Sequence, residues 1–324
     1  MKVNQKLRAG VCLSLAAVTA AVVLMKLAPE AFAQGDPSSP QMPAAYPPVI
    51  DMHVHGTTVT PKDVKSLEAE NVRYLFLAGL AADLRDWAGV DPARYLPSLV
   101  FPCDKGRAPI TGRQCFEGTG DFPDLEWLRQ ELSAGRIRGF GEMGLQFLGM
   151  GPDDPRLEPF WQLAEEFDVP VALHLGPGPP GAAYDSNPVP FKSPHFRMAA
   201  GDPMQLEEVL LRHKRLRIFI MHAGWPRLES MIALMYAHPN VYVDTAALQA
   251  PFVVPRAGYY RYLRGLVEAG FGRRVMFGSD FPNHRRAGVE AILEAEFLTD
   301  EQKADILCSN AARFLRLDAE VCRP

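Results

Sequence analysis

Four short apolar runs in this sequence end in the same kind of residue. VIDMHVHG, residues 49–56, carries Asp51, His53 and His55; VPVALHLG ends on His174, RIFIMHAG on His222 and RVMFGSDFP on Asp280. Runs of this length bounded by Gly or Pro read as buried strands. Alternate side chains of a strand leave on one face, so His53 and His55 point the same way. An isolated H-x-H is more often a solvated pair than a site. Here four of the chain's eight histidines sit at the ends of apolar runs, and the recurrence points to a metal. Imidazole nitrogens suit zinc and similar divalent ions, and a catalytic centre needs at least one further protein ligand.

The intervening sequence alternates. Strand patterns VRYLFLAGL, YLPSLVFPCD, IRGFGEMGL and VYVDTAAL bring the number of strands to eight. Helical spacing is expected over Pro61–Asn71, Ala82–Trp87, a segment capped by Asp121 or Asp124, Leu157–Phe167, Met204–His213, Arg227–His238, Ala257–Ala269 and Val289–Leu317. Eight strand-helix alternations favour an α/β fold closed as a parallel (β/α)8 barrel. An open doubly wound sheet is the alternative, but no Gly-rich nucleotide loop follows the first strand. A chain of 324 residues has room for one barrel of about 250. In such a barrel the C-terminal strand ends meet at one face, which brings His53, His55, His174, His222 and Asp280 together.

D-x-H-x-H followed by single strand-end His, His and Asp resembles the amidohydrolase superfamily of metal-dependent TIM-barrel hydrolases. Within it the chain looks most like the amidohydrolase-related group that also contains decarboxylases, and the resemblance runs over residues 47–317. It implies a divalent ion, zinc by type, as one or two ions held by His53, His55, Glu142, His174, His222 and Asp280. Glu142, in GFGEMGL, looks like the metal-bridging glutamate of TatD-type enzymes or else orients a water or substrate beside a single ion, and the absence of lysine from that strand removes the carboxylated-lysine version. By the same resemblance Asp280 is the general base, and His222 polarises a substrate oxygen or ligates a second ion. The implied activity is attack of a metal-activated water on a small ester, lactone or amide. A non-hydrolytic metal-dependent decarboxylase and a non-catalytic binding barrel are the alternatives.

Substrate recognition is less legible. The Pro- and Gly-rich insertion 177–203, carrying Tyr184, Asn187, Lys192, His195 and Arg197, is long enough to act as a lid. His284, Arg285 and Arg286 read as solvated residues opening a helix, or else as a receiver for an anionic group, and Trp225 as a pocket wall.

Ahead of the barrel, Lys2, Lys6 and Arg8 precede an apolar run, Val11–Met25, and then Ala31-Phe32-Ala33. That succession reads as a signal peptide over residues 1–33, followed by a flexible lead over 34–48. An uncleaved anchor is the alternative, and either exports the barrel (49–317) and its tail (318–324) to the periplasm or the medium. The four cysteines beyond the signal segment fit an oxidising compartment. They allow three pairings, of which Cys103–Cys115 and Cys308–Cys322 close the shortest loops. From Gln34 onward 30 basic residues face 37 acidic ones, a net charge of −7. With no basic run the chain lacks the footprint of a nucleic-acid partner, which also disfavours a TatD-like nuclease, and a small-molecule substrate is expected. N-terminal sequencing of protein from its native host should begin at or near Gln34; a mature cytoplasmic chain starting at Met1 would overturn export.

Overall fold

Eight parallel strands lie in sequence order, β1-β2-β3-β4-β5-β6-β7-β8, in the computed structural model. It describes residues 46–56, 60–90, 94–109, 111–184, 193–280 and 285–323. The signal segment and most of the lead therefore lie outside the described residues. The strands are β1 (Val49–His55), β2 (Val72–Gly79), β3 (Tyr95–Leu99), β4 (Gly139–Met143), β5 (Val171–His174), β6 (Ile218–Met221), β7 (Val241–Asp244) and β8 (Val275–Met276). Backbone bonds from Met52 N to Phe277 O and from Asp280 N to His53 O, both 2.9 Å, tie β1 to the segment that continues β8. The sheet is thereby closed into the expected barrel. Parallel strands covered on both faces need near-continuous apolar sequence, and Val171, Ala172, Leu173, Ile218, Phe219 and Ile220 are fully buried.

The helices follow the strands: α1 (Val64–Ala69), α2 (Ala81–Trp87), α3 (Leu125–Ser133), α4 (Glu158–Glu166), α5 (Glu207–Arg212), α6 (Leu228–Ala237), α7 (Arg256–Leu266), α8 (Arg285–Leu293), α9 (Asp300–Ala304) and α10 (Asn310–Leu315). Asp124, not Asp121, caps α3 by accepting from Trp127 N. Phe160, Trp161, Leu163 and Ala164 of α4 are buried. Two helices are shorter than their sequence patterns, because Pro61 and Pro203 open 3-10 turns ahead of α1 and α5. The last helical stretch starts earlier than expected, at Arg285, and divides before Thr299 caps α9.

Cysteines pair as Cys103–Cys115 and Cys308–Cys322. The first closes the loop leaving β3, which docks on α2 through Ala81 N and Cys115 O at 2.7 Å. The second draws the tail onto a core cluster that includes Phe314 and Leu315.

Arg285 corrects the sequence reading. It is neither solvated nor open to a substrate anion: only 4% exposed, it donates from Nε to Asp51 Oδ2 and from Nη1 to Glu70 Oε2, both at 2.8 Å. Burial works against its charge, but both carboxylates raise the guanidinium's pKa. Asp51 Oδ1 meanwhile accepts from Ser279 N at 2.8 Å. The acid in D-x-H-x-H thus joins β1, the β8 extension and α8. Arg286 is exposed and, among the described residues, pairs with Glu290 of its own helix, and His284 lies outside the described residues. Arg285→Ala, which strands a buried Asp51 charge, should cost about 3–5 kcal/mol in urea unfolding, whereas Arg286→Ala should stay within about 0.5 kcal/mol.

Candidate metal centre

All six residues expected to hold metal meet at the C-terminal face of the barrel, around Glu142. The part of β4 that presents Glu142 depends on Gly141, at φ 136°, where a Cβ would fall 2.5 Å from the Cβ of Ala172 on β5. From there the carboxylate faces two ways. Its Oε2 lies 3.3 Å from His55 Nε2 and 3.6 Å from His53 Nε2. Its Oε1 lies 2.5 Å from His174 Nδ1 and 3.7 Å from His222 Nε2. Asp280 Oδ1 completes the first group at 3.1 Å from His55 Nε2 and 3.6 Å from His53 Nε2. In the second, His222 Nε2 and His174 Nδ1 are 3.2 Å apart. The six side chains thus form two clusters that share Glu142.

The first cluster fits a divalent ion. Ligands about 2.0–2.2 Å from one centre, arranged tetrahedrally to octahedrally, are about 2.8–3.6 Å from each other, and the four distances above, 3.1–3.6 Å, fall in that band. His53 Nε2 is buried and has no hydrogen-bond partner. A buried orphan nitrogen aimed between two carboxylates is what a missing cation would satisfy.

Electrostatics agree. Among the described residues, the ion-pair partners of Glu142, Asp244 and Asp280 are all histidines. Burial pushes the Glu142 carboxyl up, but the neighbouring imidazoles of His174, His222 and His53 hold it well below the usual carboxylate range. Asp280 is held low against its burial by His53, His55 and His222. In return, and against their own desolvation, His53 is raised well above the ordinary histidine value by Asp244 and Asp280, and His222 is raised by Glu142 and Asp280. At His174 burial wins and the pKa falls.

Two of these residues carry backbone strain: His222 at φ 56° and Asp280 at φ 60° sit in the left-handed region. Non-glycine residues persist there when surrounding structure holds them, and such positions concentrate at functional sites. Gly278, two residues before Asp280, packs so closely that a Cβ would come within 2.8 Å of His53 Cβ and 3.3 Å of Asp244 Cγ.

Asp244 was not legible as a site residue. It is fully buried, its Oδ2 lies 3.1 Å from His53 Nδ1, and its Oδ1 accepts from His222 N at 2.9 Å and Ala246 N at 3.0 Å. The signal was nonetheless present, since VYVD ends an apolar run in a charged residue as the four other runs do.

The insertion 177–203 is anchored at both described ends. Ser193 N donates to Ala182 O at 2.7 Å, and Phe196 and Ala182 pack with Phe147, whose ring meets His174 edge-on at 5.4 Å. Tyr184 and His195 are exposed, and Arg197 donates to the backbone oxygens of Pro194 and Phe196. Asn187 and Lys192 lie outside the described residues. Trp225 is half-buried just past His222. Fully buried Gln146 holds the loop after His174, donating to Gly176 O at 2.8 Å and accepting from Gly176 N at 3.1 Å.

Solved structures share the fold at low identity. An uncharacterised TIM-barrel protein from Bordetella bronchiseptica is 16% identical with a TM-score of 0.56, over 85% of this chain and 99% of that one. A 5-carboxyvanillate decarboxylase from Novosphingobium aromaticivorans, complexed with manganese and 4-hydroxy-3-methoxy-5-nitrobenzoic acid, is 13% identical with a TM-score of 0.56, over 84% and 97%. A probable 2-pyrone-4,6-dicarboxylic acid hydrolase from Acinetobacter baumannii, with citric acid bound, is 14% identical with a TM-score of 0.53, over 83% and 99%. No curated protein matches the sequence. The Amidohydrolase family model matches residues 118–317, from the loop after β3 to the end of α10. That match spans more than half of the sequence, and the chain belongs to the amidohydrolase family.

Proposed function

We propose that this protein is a metal-dependent hydrolase of small esters, lactones or amides, with His53, His55, Glu142 and Asp280 holding one divalent ion and Glu142, His174 and His222 a second. The observation that carries the reading is the division of Glu142 between the clusters, Oε2 toward His53 and His55 and Oε1 toward His174 and His222. A carboxylate shared in this way screens two cations from each other, an arrangement suited to hydrolysis. Bound ions would polarise a substrate carbonyl and make a water acidic enough to ionise near neutral pH. Zinc suits the donor set of imidazoles and carboxylates.

The protein's own groups then handle the proton. Asp280, kept ionised by the surrounding histidines, accepts it from the attacking water and returns it to the leaving group. His222 completes the second cluster or, with that cluster unfilled and the ring protonated on both nitrogens, donates from Nε2 to the substrate oxygen. Phe147 walls the pocket beside His174. The two disulfides support an exported enzyme.

Decarboxylation is the second reading, favoured by the fold shared with the manganese-bound 5-carboxyvanillate decarboxylase. It does not require the two-way placement of Glu142. Zinc titration should reach two ions per chain in the wild type and fall toward one in Glu142→Gln. Across a panel of esters, lactones, amides and aromatic carboxylic acids, Asp280→Asn should keep metal and lose turnover by at least about 100-fold. An unchanged ion count in Glu142→Gln, or release of carbon dioxide as the only activity, would move the assignment to the decarboxylase.

A further inference from the structure

The β7 end makes no entry in the proposed ligand set, yet it touches both clusters. Asp244 lies within 4.8 Å of His53 and His222 ligand atoms and could be taken for a third metal-binding group. Its hydrogen bonds argue otherwise. Oδ1 already accepts from two backbone N–H groups, His222 N and Ala246 N, and Oδ2 faces His53 Nδ1 at 3.1 Å, with both side chains fully buried. Both carboxylate oxygens are thus already engaged in orienting neighbours. Two residues on, Ala246 O lies 3.0 Å from His222 Nδ1.

We infer that Asp244 and Ala246 are positioning residues: β7 fixes the tautomers of the two histidines, so that His53 and His222 each donate from Nδ1 to β7 and offer Nε2 to the metal centre. The inference rests on the metal-dependent reading. A neutral imidazole that donates from one nitrogen has its lone pair on the other. For His53 that other nitrogen is Nε2, buried, without a hydrogen-bond partner and 3.6 Å from carboxylate oxygens of both Glu142 and Asp280. For His222 it is the nitrogen 3.7 Å from Glu142 Oε1. An outer carboxylate on a ligating histidine also raises the basicity of the ligand nitrogen, and its loss typically lowers metal affinity by about 10- to 100-fold. The Asp244 carboxylate has a second task, because its bond to His222 N steadies a residue held at φ 56°. One side chain thereby sets a ligand on β1 and the backbone of a ligand beyond β6.

Asp244→Asn separates positioning from packing. The amide keeps an oxygen for the two backbone N–H groups but turns an N–H2 toward His53, which must then accept at Nδ1 and carry its proton on Nε2. Titration with Zn2+ alone should show affinity lower by about 10- to 100-fold in Asp244→Asn, with the metal-free variant retaining its circular dichroism spectrum. Affinity within about twofold of wild type would overturn the proposal while leaving the metal centre standing. Absence of Zn2+ uptake by the wild type would instead overturn the functional reading, and this inference with it. Should the variant fail to fold, 15N-histidine spectra of the zinc-loaded wild type decide: a proton on Nδ1 and zinc on Nε2 of His53 and His222 are expected, and zinc on Nδ1 of either would refute the assignment.

Discussion

Buried carboxylates without a lysine or arginine partner demand another source of positive charge, and at the C-terminal face of this barrel three carboxylates, which among the described residues pair with histidines, impose that demand together. Glu142, Asp244 and Asp280 have only histidines as ion-pair partners among the described residues. Uncompensated buried charge is expensive, so the site needs imidazolium, a metal or both. Much of the surrounding structure serves this arrangement. Asp51 and Arg285, themselves a buried pair, lock β1 to the β8 extension. Gly141 and Gly278 allow the close backbone approaches on which Glu142 and the His53–Asp244 contact depend.

The same arrangement accounts for where strain sits. His222 and Asp280 occupy the left-handed region just beyond β6 and β8, and both are held there by bonds from other strands: His222 N to Asp244 Oδ1 and Asp280 N to His53 O, each 2.9 Å. The barrel thus fixes its functional side chains through hydrogen bonds between strand ends. Phe147 packs against His174, and the described ends of the insertion back it with Phe196 and Ala182.

Sequence pattern exposed what is local. Apolar runs ending in His or Asp declared the strand ends, and a period of two placed His53 and His55 on one side, as their shared approach to Asp280 bears out. Cysteine spacing named both disulfides. Contacts between distant positions left no such mark. Arg285 looked like a solvated helix start because its partner Asp51 is 234 residues away, and the pairing of His53 with Asp244 spans 191. Asp244 likewise owes its place to contacts with His53 and the backbone of His222 that no local pattern marks. Helix starts erred where proline tightened the first turn, at Pro61 and Pro203.

A crystal soaked in zinc and measured at the zinc absorption edge tests the central claim most directly. The anomalous map should place an ion about 2.0–2.2 Å from ligand atoms of His53 Nε2, His55 Nε2, Glu142 and Asp280, with Asp244 outside the coordination shell. A map with no peak among these residues, or with Asp244 ligating in place of Glu142, would contradict the account.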